Sequence, residues 1–75
     1  MKKIKEIPIK TDKIQLDQFL KWSNIVESGG KAKKLIQAGK IRVNDEIEYR
    51  RGKKLEVGDI ITLSSNNEKY KVSRE

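Results

Sequence analysis

The chain has no cysteine and no histidine among its 75 residues, and these two absences remove most site chemistry at once. A disulfide framework, a Cys/His zinc site, a thiol nucleophile and an imidazole base are all excluded. Proline occurs once and aromatic residues make up 5% of the chain. No apolar run approaches the ~18 residues of a membrane span. No apolar stretch follows the lysines of Met1-Lys2-Lys3-Ile4-Lys5-Glu6, so a secretory leader is not expected. The expected location is cytoplasmic. At this length one domain, residues 1–75, is expected, and only about 60% of the unfolded surface can be buried in so small a fold. The apolar 35% must then serve almost entirely as core, leaving little to enclose a substrate. No metal and no cofactor is expected.

Acidic residues are scarce where basic ones are dense. The net charge is +7, and residues 28–54 carry +6 of it, with nine bases against the three acids Asp45, Glu46 and Glu48. A cationic excess confined to one third of the chain is the pattern of a polyanion-binding face rather than of general solubility. The three carboxylates gather near one turn, but nothing beside them supplies a nucleophile or a metal cage, so no enzymatic turnover is expected.

Hydrophobic spacing divides the chain. Ile7 and Ile9 alternate with polar neighbours and predict a strand within residues 3–10, and Pro8, which lacks an N–H, requires it to lie at a sheet edge or to be irregular. Leu16, Phe19 and Leu20 recur at helical spacing, with Asp17 in the first turn, and predict a helix from Leu16 to Ser23. Ser28 caps a second helix in which Ala32, Leu35 and Ile36 form the apolar stripe and Gly39 supplies the left-handed stop. Lys33, Lys34 and Gln37 fall on its opposite side. The short link Asn24-Ile25-Val26-Glu27 requires the helices to pack closely, with Ile25 or Val26 plugging the corner.

After Gly39 the period becomes two. Ile41 and Val43 point to the core and Arg42 away from it, Asn44-Asp45 makes a hairpin turn, and Ile47 and Tyr49 are expected to return on the core side. A basic loop, Arg50-Arg51-Gly52-Lys53-Lys54, precedes Leu55, the Gly58-Asp59 turn and a core strand from Ile60 to Leu63. Residues 69–73 are expected to add a strand beside Ile7 to Ile9. Trp22 has two readings, a partly buried ring closing the small core or a base-stacking platform, and the first is preferred.

The pieces Leu16-Asp17-Gln18-Phe19-Leu20-Lys21, Ala32-Lys33-Lys34-Leu35-Ile36-Gln37-Ala38-Gly39-Lys40-Ile41-Arg42-Val43-Asn44 and Val57-Gly58-Asp59-Ile60-Ile61 occur in one order over about fifty residues. Together they resemble the alpha-L RNA-binding domain named after small-subunit ribosomal protein S-four. Ser28-Gly29-Gly30-Lys31-Ala32-Lys33 and the basic loop are similar to its stand-alone bacterial branch, the YaaA/YbcJ-like proteins. The resemblance implies an α+β fold, two packed short helices followed by a small, mostly antiparallel sheet, with the motif over about residues 14–63. It also implies binding to structured ribosomal or transfer RNA, on a ribosomal subunit or an assembly intermediate, through the helix pair and the following strand. A monomer is expected. Gln15 stands where many members have Arg, and Ser28-Gly29 where they often have Ser-Arg. Lys31 and the pair Arg50-Arg51 are the candidate replacement charges.

A-form RNA hides its base edges, so a small rigid module recognises the spacing of phosphates and 2′-hydroxyls. The expected contacts are Lys33 and Lys34 to one backbone strand, Arg42 as an extension of that surface, and Arg50, Arg51, Lys53 and Lys54 to another, with Lys21, Ser28, Gly29, Gly30, Lys31 and Asn44 completing the candidate set. Ser28-Gly29-Gly30 is either an anion site of bare N–H groups or only a sharp helix entry. Gly52 is read as a positive-φ turn and Asn44 as a turn residue before an RNA contact. The alternative is a protein-interaction module whose same basic face docks an acidic partner.

Overall fold

The structure, a computed structural model, describes residues 4–75. In chain order the elements are β1 (Ile4–Ile9), β2 (Lys13–Gln15), α1 (Leu16–Trp22), α2 (Gly29–Gln37), β3 (Ile41–Val43), β4 (Glu46–Ile47), β5 (Lys54–Glu56), β6 (Ile60–Leu63) and β7 (Lys69–Arg74). Lys3, the first residue of the expected N-terminal strand, lies outside the described residues. Five strands form one sheet in the order β1-β7-β6-β3-β4, antiparallel except for the parallel β1–β7 pair, and β2 and β5 form a separate antiparallel pair. The architecture is α+β with a mostly antiparallel sheet. Pro8 sits on the edge strand β1, where its missing N–H costs no ladder bond.

Both helices end in the same way, because each has a residue able to turn left-handed just past its last turn. After α1, Asn24 (φ 61°) donates its N–H to the Lys21 carbonyl, and Ile25 donates to Leu20. After α2, Gly39 (φ 74°) donates to Ile36, and Lys40 to Leu35. These are Schellman closures, which satisfy the orphan carbonyls of a helix end and reverse the chain. Leu16, Phe19 and Leu20 of α1 and Ala32 and Ile36 of α2 are buried, with Leu35 half-buried against them. Val26 is buried in the corner and Ile25 packs beside it.

The helices cover one face of the five-stranded sheet. Ile41, Val43, Ile61, Leu63, Tyr70 and Val72 point into this core, joined by Ile9 from the edge and Leu55 from β5. Strand alternation sends Arg42, Thr62, Lys69 and Lys71 to the other, helix-free face. Tyr70 donates its hydroxyl to the Glu68 carboxylate at 2.6 Å, and burial with that contact pushes its pKa up to about 12.

The hairpin between β3 and β4 corrects one expectation. Asn44 and Asp45 have φ of 52° and 71°, the left-handed pair of a type I′ turn. A two-residue turn sets Val43 opposite Glu46 and Arg42 opposite Ile47. Residues directly opposite share a face, so Ile47 follows Arg42 to the outer side and not to the core. Ile47 is 45% and Tyr49 59% exposed, and both lean on Gly39, where an added Cβ would meet them at 3.4–3.8 Å.

Trp22 also departs from its preferred reading. Its ring is half exposed and closes no core; its Nε1 donates to the Pro8 carbonyl at 2.8 Å and ties α1 to the edge strand. At about 100° per residue Trp22 falls well off the buried stripe of Leu16, Phe19 and Leu20, so its side chain leaves the helix beside the core and not into it.

Candidate nucleic-acid interface

The basic loop is held by its own backbone. Gln15 precedes α1 without a side-chain cap, and the N–H groups of Leu16 and Asp17 donate instead to the carbonyls of Lys53 (2.8 Å) and Arg51 (3.1 Å). The loop thereby caps α1 with main chain, while β2 and β5 continue the junction through Gln15 opposite Lys54. With the carbonyls of Arg51 and Lys53 committed and Lys54 paired opposite Gln15 in β5, these three residues project their side chains from a fixed support. Gly52 does not have the expected positive φ, and an added Cβ there would meet nothing within 4 Å. The loop turns by an Arg50 carbonyl to Lys53 N–H bond of 3.2 Å, which needs no left-handed residue.

Arg50 is separated chemically from its neighbours. Its Nε and Nη2 donate to the two oxygens of Glu48 at 3.1 and 3.2 Å, and its backbone N–H donates to the same carboxylate. The Arg50 hydrogen bonds hold the Glu48 carboxyl below its ordinary pKa. Glu48 lies on the core-facing parity of the hairpin, only 16% of its side chain exposed, which explains why it keeps its charge by pairing. Lys31 is likewise paired, with Glu27 at 3.1 Å one helical turn earlier. Two of the three replacement cations therefore have intramolecular partners.

The second helix begins differently. The Ser28 hydroxyl accepts from the Lys31 N–H at 3.3 Å, as expected of an N-cap. Neither Gly29 nor Gly30 has a positive φ; an added Cβ would meet nothing at Gly29 and only Ser28 Oγ, at 3.9 Å, at Gly30. The sharp helix entry thus makes no demand for glycine at either position. The pair leaves bare main chain beside Lys33 and Lys34, which are exposed on the outer side of α2.

The structure gathers part of the expected set. Lys21, Lys33, Lys34, Arg51, Lys53 and Lys54 belong to the helix pair and the loop docked on it, and they form no ion pair among the described residues. Arg42 is on the far side of the sheet and does not extend that surface. Asn44 is occupied within the fold: its Nδ2 donates to Asp59 at 3.1 Å and its Oδ1 accepts from the Ile60 N–H at 3.0 Å. Asp59 also accepts from the Glu56 N–H at 2.8 Å. The Asn of the hairpin and the Gly-Asp turn, fifteen residues apart in sequence, are one clamp.

This combination, a helix pair closed by Schellman turns, a main-chain-docked basic loop and the Asn44–Asp59 clamp, defines a class, and the S4 domain profile matches residues 7–73. The chain belongs to the S4 domain family, the RNA-binding family that its motifs resemble. It is 46% identical over 57 residues to the "Probable ribosome maturation protein RlbA" of Bacillus subtilis strain 168, an alignment covering 76% of this chain and 80% of that relative. No helix among the described residues is long and apolar enough to cross a membrane.

Proposed function

We propose that this chain binds the backbone of structured ribosomal or transfer RNA through the helix-pair side of the molecule, as a non-enzymatic cytoplasmic monomer acting in ribosome maturation. The observation that carries the reading is the main-chain docking of the basic loop on α1, which fixes Arg51, Lys53 and Lys54 relative to the helices. Rigid cations at set positions suit recognition by phosphate spacing, the mode A-form RNA allows. Lys33 and Lys34 supply the second cluster, beside the open main chain at Gly29-Gly30. Arginine grips phosphate with two parallel bonds and lysine acts more as a point charge. Arg51 is accordingly the geometric anchor, whereas Arg50 first has to leave Glu48.

The family and the name of the B. subtilis relative support the ribosomal assignment. The test is binding to structured ribosomal RNA fragments against a heparin competitor over a range of salt. With about four to six phosphates neutralised, log K should fall against log salt with a slope of several units. Lys33→Gln with Lys34→Gln, and Arg51→Gln with Lys54→Gln, should each reduce affinity and flatten the slope. Equal displacement by heparin and RNA, or retention in a large cellular complex after nuclease treatment, would replace RNA with an acidic protein partner.

A further inference from the structure

The helix-free face of the sheet carries a second cationic feature that the RNA reading does not use. The registers align Ile47, Arg42, Thr62, Lys69 and Ile4 in one row across all five strands. In the middle of that row stands Thr62 on the central strand β6, only 6% exposed, and its Oγ1 has no hydrogen-bond partner among the described residues. Buried hydroxyls normally have a partner, because an unmade bond leaves the desolvation of the group uncompensated. Arg42 and Lys69 flank it, and neither forms an ion pair among the described residues. With Asp45, Ser64 and Asn67 they line a depression of about 430 Å³.

We propose that this depression is a site for one phosphate oxyanion, held by Arg42 and Lys69 and accepting a hydrogen bond from the Thr62 hydroxyl. A tetrahedral oxyanion suits a planar arginine fork, a lysine point charge and a hydroxyl donor converging from three adjacent strands. Asp45 leaves the lining with a net charge of +1, which matches a singly charged phosphodiester better than a multiply charged ligand. The same carboxylate sets a ceiling on affinity and gives the site an adjustable element. Arg42 thus belongs to a separate site and not to the margin of the helical surface. When RNA occupies the helical side, as proposed above, the two sites lie on opposite sides of the sheet and can hold two backbone segments.

The test is a titration of the full, isotope-labelled chain with inorganic phosphate against chloride at matched ionic strength, read by amide chemical shifts. Saturable shifts should centre on Arg42, Thr62 and Lys69. Arg42→Gln with Lys69→Gln should abolish them, and Thr62→Val should weaken binding by about tenfold, the worth of one hydrogen bond to a charged group. Asp45→Asn should tighten binding; asparagine tolerates the left-handed turn position, so this variant keeps the fold and gains affinity. Shifts confined to residues 28–34 and 50–54, or equal affinity in the Thr62→Val and parent proteins with both folded, would overturn the site and give the hydroxyl to water. A structured RNA duplex as a second titrant separates the sources. A response of the row to both ligands makes the ligand a backbone phosphate, and a response to inorganic phosphate alone makes it a free anion. Either pattern upholds the site. The phosphate arm is independent of Lys33 and Lys34, so loss of RNA binding in their double variant leaves this proposal standing.

Discussion

The two helices begin in opposite ways. At α1 the exposed N–H groups are closed by carbonyls of Arg51 and Lys53, and Gln15 contributes no cap. At α2 a serine hydroxyl satisfies one donor, and two glycines leave the rest of the first turn uncovered. A helix start closed by main chain is a structural joint, and one left bare beside lysines is a surface for an anion. The basic loop thus has two separable parts: its backbone builds the fold, while the side chains of Arg51, Lys53 and Lys54 remain available.

The largest disturbance should come from removing what seats the joint at α1. Leu55 is fully buried where β5 meets the core, immediately after the loop. Leu55→Ala should cost roughly 2–5 kcal/mol in urea unfolding and loosen the loop. A cost near zero would mean that the loop is held by its backbone bonds alone. Next in size is the contrast between caps. Ser28→Ala should cost about 1 kcal/mol, whereas Gln15→Ala should stay within about 0.5 kcal/mol, because only the first position uses its side chain. Equal effects in thermal melts would erase the distinction between the two starts.

Gly29→Ala and Gly30→Ala sharpen the comparison by opposing two readouts. With no positive φ and no close neighbour, each should stabilise the helix by up to ~1 kcal/mol. If phosphate approaches this main chain, each should nevertheless weaken RNA binding. Unchanged affinity with raised stability would confine the role of the glycines to the fold. The smallest effect is at Glu48. Its carboxyl has a lowered pKa in the folded protein, so its contribution is fully present above the ordinary value of 4.5 and fades as pH falls through the folded value. Glu48→Gln should remove that part of the acid-side slope in pH-dependent melts; an identical slope would mean that the Arg50 pair adds nothing measurable.

Much of the helical half is legible from sequence, because its signals are local. Ser28, the spacing of Ala32, Leu35 and Ile36, and Gly39 each state a start, a buried face or a stop within one or two turns. The β half is legible in its strands and less so in its faces. Whether Ile47 points inward depends on turn length, since a two-residue turn fixes which residue stands opposite Arg42. Hydrophobicity favours the core for Ile47 and Tyr49, and register overrules it. The placement of Arg42 away from the helical cations follows from the same alternation that sends it out of the core, but only the sheet topology says which side is out. The β2–β5 pair leaves almost no trace, as Lys13-Ile14-Gln15 is too short to display a period. The Glu48–Arg50 pair requires a half-buried carboxylate to be noticed first, and the Thr62 hydroxyl becomes conspicuous only when neighbouring strands enclose it.

The bond from Trp22 to Pro8 makes the molecule self-reporting. The chain has one tryptophan, and its indole is anchored to the outermost strand rather than to the cationic helix–loop surface. Its emission should redden when that strand peels away from α1, in solutions where the rest of the fold is still intact. Fluorescence therefore follows detachment of the sheet margin, a partial opening that a global melting curve would average away.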